Sequence, residues 1–311
     1  MTGTAENDAA RTAAQDLFTL RDFLRYAISR FEAAELSYGH GTTNATDEGA
    51  YLILEKLRLP IDQLDPFLDA RLLSSERLEL AQLIEQRVTT RKPAAYLLKK
   101  SYIKGVPFYV DERVIVPRSY LGELLTSELF SGDSSSLMDP DSVDNVLDLC
   151  TGSGALAILA AMVFEHAKVD AVDVSPGAAE VAKRNIVDCS EGNRIEFLQG
   201  DLFAPLAGRT YDLILTNPPY VDAEAMAALP AEYRHEPEIA LAGGPDGLDI
   251  VRRILKDAPA HLNDSGGLLC EIGTGREILD EEYPDLPFLW LDTEESSGEV
   301  FWLPASAFRQ G

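Results

Sequence analysis

The chain has 311 residues, 46% hydrophobic and 25% charged, enough apolar material for a packed core, with no uninterrupted apolar run long enough for a membrane-spanning helix. Its 27 basic residues stand against 52 acidic ones, a formal net charge of -25 that opposes the basic footprint of a nucleic-acid binder and suits a basic partner. The N-terminus, MTGTAENDAARTAAQD, lacks the apolar centre of a signal peptide, and three distant cysteines with four scattered histidines offer neither a disulfide framework nor a zinc site, so a cytoplasmic protein without a metal is expected.

Residues 1–100 are expected to form a small helical domain. Leu17, Leu20, Phe23, Leu24, Ala27, Ile28 and Phe31 fall at the spacing of one helix face. The glycines, threonines and asparagine of YGHGTTNATDEGA interrupt that pattern before a second helix near Glu48 to Leu57. A third is predicted from Ser74 or Ser75, whose hydroxyl suits an N-cap, to about Arg91. Residues 101–130 read as a connector. Two β-prone runs, Phe108 to Val110 and Val114 to Val116, flank a polar DER turn and predict a hairpin, which Pro117 ends before a short helix through Leu129. The Ser/Asp-rich stretch SGDSSSLMDPDSVD predicts a surface loop at the start of the last domain, 131–311.

From Asn145 the pattern is strand, turn, helix, repeated. NVLDL, KVDAVDV, RIEFLQGD, YDLILTN and GGLLCEI read as strands, with helices ALAILAAMVFEHA, PGAAEVAKRNIVDC and GLDIVRRILKDAPAHL among them. FLWLD and GEVFWLP read as two closing strands. Such alternation predicts an α/β fold with a doubly wound, mostly parallel sheet and a ligand at the carboxyl ends of its strands.

VLDLCTGSGALA places Gly152 and Gly154 in a tight turn before a helix, where backbone can approach a ligand. Asp173 ends the next strand and suits ribose hydroxyls. Together these match a dinucleotide fingerprint, but Asp148, just before the turn, would repel a diphosphate and suits an ammonium. A ligand with a ribose, an amino acid and no phosphate is S-adenosylmethionine. Asp201 and Leu202, after the third strand, then fall where an adenine's amine and flat faces would lie.

The fourth strand ends in Asn217, Pro218, Pro219 and Tyr220. Two prolines stiffen the loop and remove two backbone donors, leaving carbonyl oxygens without competing N–H groups. The Asn217 side-chain oxygen and the Pro218 carbonyl can accept both hydrogens of a planar –NH2 group, with Tyr220 packed against its flat substrate. That chemistry serves an adenine amine or a glutamine amide equally.

These residues resemble the class I, S-adenosylmethionine-dependent methyltransferases with an (N/D)PP(Y/F) motif. Of their two branches, DNA adenine-amine enzymes and protein glutamine methyltransferases of the HemK type, the chain is similar to the second. KGVPFYVDERVIVPRS matches that family's hairpin, and HEPEIALAGGPDGLDIVRRIL its segment after NPPY. The resemblance covers nearly the whole chain and implies a seven-stranded sheet, S-adenosylmethionine as cofactor and a glutamine side-chain amide as methyl acceptor. PRSYLGEL (Pro117 to Leu124), YGHGT and YPDLPFLWLD resemble the branch acting on large-subunit ribosomal protein L-three rather than the release-factor branch, whose segment usually reads PRPETE. By position, the resemblance implies cofactor contacts at Cys150, Thr151, Gly152, Ser153, Gly154, Asp173, Leu202 and Asn217, and an amide holder at Asn217, Pro218, Pro219 and Tyr220. The N-terminal helices either recognise the protein substrate or only pack on the catalytic domain, and the sequence leaves both open. Cys150 stands where many relatives have glycine, a change that should be tolerated if its backbone is not at φ above zero.

Overall fold

The protein is described by a computed structural model covering residues 2–132, 136–294 and 296–309. The chain divides into two compact units, Met1–Ser101 with Pro230–His235, and Tyr102–Leu229 with Glu236–Gly311. Among the described residues no helix is long and apolar enough to cross a membrane.

The first unit is helical: α1 (Thr2–Asp16), α2 (Leu20–Ala33), α3 (Ala45–Lys56), α4 (Ser74–Thr90) and α5 (Ala94–Leu98). The α2 helix begins at Leu20 rather than Leu17 because Thr19 and Asp22 form a capping box, each side chain accepting from the other's backbone N–H. The α3 helix reaches back to Ala45 because Asn44 Oδ1 accepts from Thr46 and Asp47 N–H, both at 3.0 Å. The serine cap expected for α4 is not formed. Ser74 already lies inside the helix, and the Glu76 carboxylate instead takes the N–H of Leu73 at 2.8 Å. Phe23, Ala27 and Phe31 of α2 are buried in one core with Ile53 of α3 and Ile84 of α4. Arg87 is buried in the same unit, its Nε donating to Glu48 at 2.5 Å. The distant segment 230–235 adds Glu232, which accepts from Ser37 N–H at 3.1 Å and pairs with Arg91 at 2.8 Å. Only the carboxylate of that pair is buried, Arg91 being partly exposed, and the two contacts tie the segment to its unit.

The hairpin lies earlier than expected. Its strands are β1 (Ser101–Ile103) and β2 (Val106–Phe108), turning at Lys104 and Gly105. Residues 109–117 carry no strand. There Asp111 accepts from the Arg113 N–H at 3.2 Å and its Nε at 2.8 Å, so a side chain, not a ladder, answers the local donors. The short helix α6 (Leu121–Leu125) follows, then a 3-10 turn over Glu128–Phe130. Part of the expected Ser/Asp loop, residues 133–135, lies outside the described residues.

The remaining elements are β3 (Asn145–Leu149), α7 (Ala155–Val163), β4 (Lys168–Asp173), α8 (Pro176–Asp188), β5 (Ile195–Gln199), β6 (Tyr211–Thr216), α9 (Ala223–Ala228), α10 (Asp249–Asp257), β7 (Leu262–Glu271), α11 (Arg276–Glu282), β8 (Leu289–Asp292) and β9 (Ser297–Pro304). The strands form one 7-stranded sheet in the order β5-β4-β3-β6-β7-β9-β8. Neighbours from β5 to β7 are parallel, and β9 runs antiparallel to both β7 and β8. Alternation along β3 feeds two cores. Val146 packs with Ile158 of α7 and Leu121 of α6 on one face, while Leu147 and Leu149 pack with Val251 and Ile254 of α10 on the other. The α7 helix stops at Val163, short of its expected end, and the Arg194 guanidinium donates to the carbonyls of Phe164 (3.2 Å) and Glu165 (3.1 Å) just beyond it.

Candidate active site

The order of the sheet places the site. The β3 strand has β4 on one side and β6 on the other, so connections leave it in opposite directions and a crevice opens at its carboxyl end. Thr216 Oγ1 donates to the Leu149 carbonyl at 3.1 Å, tying the ends of β6 and β3 together. A cavity of about 280 Å³ lies there, lined by Cys150, Gly152, Asp173, Asp201, Leu202, Asn217 and Pro219 among others. The residues after four different strands therefore converge on one hollow.

The other residues of the glycine turn stand behind that wall. Asp148 is wholly buried and does not line the cavity; its Oδ2 accepts from the Thr151 hydroxyl at 2.5 Å and the Ala157 N–H at 2.9 Å. It thus fastens the turn to the first turn of α7. Its Oδ1 has no hydrogen-bond partner, and burial pushes the carboxyl up to about 7 against those two bonds, with the Asp173 charge adding to the rise. The buried Ser153 gives its carbonyl to Asn185 Nδ2 at 2.8 Å, and Gly154 packs against Ala182. Cys150 does not meet the condition set for it: φ is +58°, the left-handed region, which costs a side-chain-bearing residue roughly 1–2 kcal/mol. Burial pushes its thiol up, so it stays a neutral wall.

Asp173 links the turn to β4. Its Oδ2 accepts from Gly152 N–H at 2.9 Å and its Oδ1 from Ser175 N–H at 2.8 Å. Burial nevertheless raises its pKa, so the carboxylate remains under-solvated, and each oxygen retains capacity for another donor. Asp201 is exposed and held by Arg253 at 2.7 Å, while Leu202 beside it is buried at φ +47°.

Beyond β6, Asn217 and Pro219 line the cavity, Pro218 is buried, and the Tyr220 hydroxyl donates to Glu271 at 2.8 Å. The loop is set from below by the AGGPDGLD segment. Val221 N–H donates to the Leu241 carbonyl and Gly243 N–H to the Val221 carbonyl, both at 2.9 Å. Gly247, at φ +84°, approaches so closely that a Cβ would lie 2.3 Å from the Tyr220 carbonyl oxygen. Arg118 does not line the cavity; it grips Glu236, which also accepts the Val116 N–H at 2.8 Å. Pro237 does line it. So do Arg113, Val114 and Ile115, which sequence reasoning placed in a hairpin, and Ile250 and Arg253, placed only on a helix. Nothing in their local pattern marks them. Glu271 was also missed, although an acid ending the apolar run LLCE is a visible anomaly.

A sheet of this order, with a hollow at its switch point and an Asn-Pro-Pro-Tyr segment on the adjoining strand, is the framework of a class I methyltransferase. The Methyltransferase small domain family matches residues 135–232. More specifically, the chain belongs to the family of ribosomal protein uL3 glutamine methyltransferases. It is 59% identical over 307 residues to the protein of that name from Bradyrhizobium diazoefficiens, covering 98% of this chain and 96% of the relative. The namesake from Bordetella pertussis is 53% identical over 289 residues, covering 93% and 96%. That from Neisseria gonorrhoeae is 53% identical over 291 residues, covering 94% and 96%.

Proposed function

We propose that this protein transfers a methyl group from S-adenosylmethionine to the side-chain amide nitrogen of a glutamine in ribosomal protein uL3 (L-three). The observation that carries the reading is that Asn217 and Pro219 line the same cavity as Gly152, Asp173 and Leu202. One cavity thus brings together residues suited to the amide and residues suited to the cofactor.

The residues present fit that cofactor. The half-buried Asp173 carboxylate, whose oxygens each keep acceptor capacity beyond the Gly152 and Ser175 N–H groups, can take hydroxyl groups such as those of a ribose. Leu202, Val172 and Ile250 offer an apolar wall for an adenine. A diphosphate fits poorly, because both cavity arginines are taken by acids: Arg113 by Asp111 and Glu180, Arg253 by Asp201. Bound there, S-adenosylmethionine supplies a sulfonium methyl group. Asn217 and the Pro218 carbonyl accept hydrogen bonds from the two amide N–H groups, which favours positive charge developing on a nitrogen whose lone pair is otherwise delocalised. One of those protons leaves to solvent as the N–CH3 bond forms and the sulfonium S–CH3 bond breaks. The prolines keep competing donors away. Alignment supplies much of the rate, effective molarities in well-oriented systems reaching about 10⁵–10⁸ M. Ribosomal proteins are made in the cytoplasm, and we place the activity there.

The test offers radiolabelled S-adenosylmethionine with purified uL3, a release factor and a DNA duplex. Label is expected on uL3. Label on DNA, or on the release factor alone, overturns the reading.

A further inference from the structure

The Tyr220 hydroxyl ends on an acid to which the mechanism above gives no role. Glu271 is the last residue of β7 and is wholly buried. Its Oε1 accepts from Tyr220 at 2.8 Å, and its Oε2 from the Ser119 hydroxyl at 2.6 Å and the Tyr120 N–H at 3.0 Å. Two hydroxyls and one backbone N–H thus converge on its two oxygens, while burial raises its pKa. Its strand neighbours Leu268, Leu269 and Cys270 are apolar and fully buried. Desolvating a carboxylate there costs several kcal/mol, and an apolar residue would continue the strand more cheaply. The acid is therefore tied to what it holds rather than to the strand.

What it holds is the ring of the NPPY segment. Gly273, just beyond β7 at φ +58°, lies close against that ring: a Cβ there would come 2.8 Å from Tyr220 Cδ2. The Tyr220 side chain is thus fixed at its hydroxyl by Glu271 and along one edge by backbone. Its carbonyl end is fixed by Gly247.

We propose that Glu271 is a positioning residue for methyl transfer, setting the Tyr220 ring against the target amide, with Ser119 and Tyr120 holding the carboxylate in place. This rests on the amide-holding role given to NPPY. If Glu271 acts through Tyr220, the two substitutions must not add.

The experiment is a double-mutant cycle with Glu271→Gln, Tyr220→Phe and the pair, measured with uL3 and labelled S-adenosylmethionine. Each single variant is expected to lose about 10- to 100-fold in kcat, the scale of a misplacement near 1 Å, with KM for S-adenosylmethionine unchanged. The double variant is expected to be no slower than the worse single one. Wild-type methylation of uL3 with multiplying losses in the double variant overturns the positioning role alone, as does a Glu271→Gln enzyme of unchanged kcat. Should Glu271→Gln fail to fold, Tyr220→Phe decides, because it removes only the hydroxyl; unchanged kcat then overturns the proposal. Absence of uL3 methylation by the wild type strikes the underlying reading instead.

Discussion

The Arg118 guanidinium takes both oxygens of the Glu236 carboxylate, at 2.6 and 2.7 Å, although the two residues stand 118 positions apart in the chain. The Glu236 side chain is wholly buried and also accepts the Val116 N–H. This one carboxylate thereby joins the stretch entering the sheet to the segment following NPPY. Removing it strips a partly buried cation of its carboxylate partner and a buried N–H of its acceptor. Glu236→Ala is expected to cost about 3–5 kcal/mol in urea denaturation. A loss under about 1 kcal/mol would mean that the pair behaves as a solvated one.

Asn217 is half-buried and lines the cavity, and among the described residues its side chain makes no hydrogen bond that its removal would break. Asn217→Ala is therefore expected to lower kcat by at least about 10²-fold, the scale of losing one preorganised polar group at a reacting centre. Its melting temperature should move little. Unchanged transfer to uL3 would sink the amide clamp.

Asp148 makes stability depend on pH. Burial raises its carboxyl to about 7 from an ordinary value of 3.8, so the folded chain holds this proton more tightly than the unfolded one. Its contribution is fully present below about pH 4 and is lost as pH rises through about 7. The ceiling is on the order of 4 kcal/mol, at about 1.4 kcal/mol per pH unit. Asp148→Asn keeps an oxygen for Thr151 and Ala157 but does not titrate. Between pH 4.5 and 7.5 its denaturation free energy is expected to fall by roughly 2–4 kcal/mol less than that of the wild type. Parallel profiles for the two proteins would contradict this.

Much of the catalytic unit is legible in the sequence because its logic is local. Period-two runs, a glycine turn and a strand broken by two prolines each leave their own trace, and Asn217 and Asp173 could be named from them. Long-range pairing leaves none. Glu236 finds Arg118, and Glu271 finds Tyr220, only once the sheet is closed. The hairpin was misplaced because the apolar residues Val114 and Val116 are buried without belonging to a strand. Local sterics also misled at Cys150, where tertiary fit holds a side-chain-bearing residue at φ +58°. Cys150→Gly relieves roughly 1–2 kcal/mol of that strain while adding about 1 kcal/mol of unfolded-state freedom. Stability is expected to change by less than about 1 kcal/mol, with activity retained. A larger loss on denaturation would show that the half-buried thiol packs for more than its conformation costs.

The acidic excess of the chain is not shared evenly. The unit that contains the cavity holds 36 acidic and 13 basic residues, whereas the helical unit holds 16 and 14. A ribosomal protein that binds RNA is basic, so the field it meets comes from the unit that modifies it. Raising ionic strength from about 0.1 M to 1 M shortens the screening length from about 10 Å to about 3 Å, which removes long-range steering but spares contacts inside a cavity. The kcat/KM for uL3 is expected to fall roughly tenfold over that range, while Kd for S-adenosylmethionine changes less than about twofold. Equal salt dependence for both would place the charge outside substrate capture and leave solubility as its role.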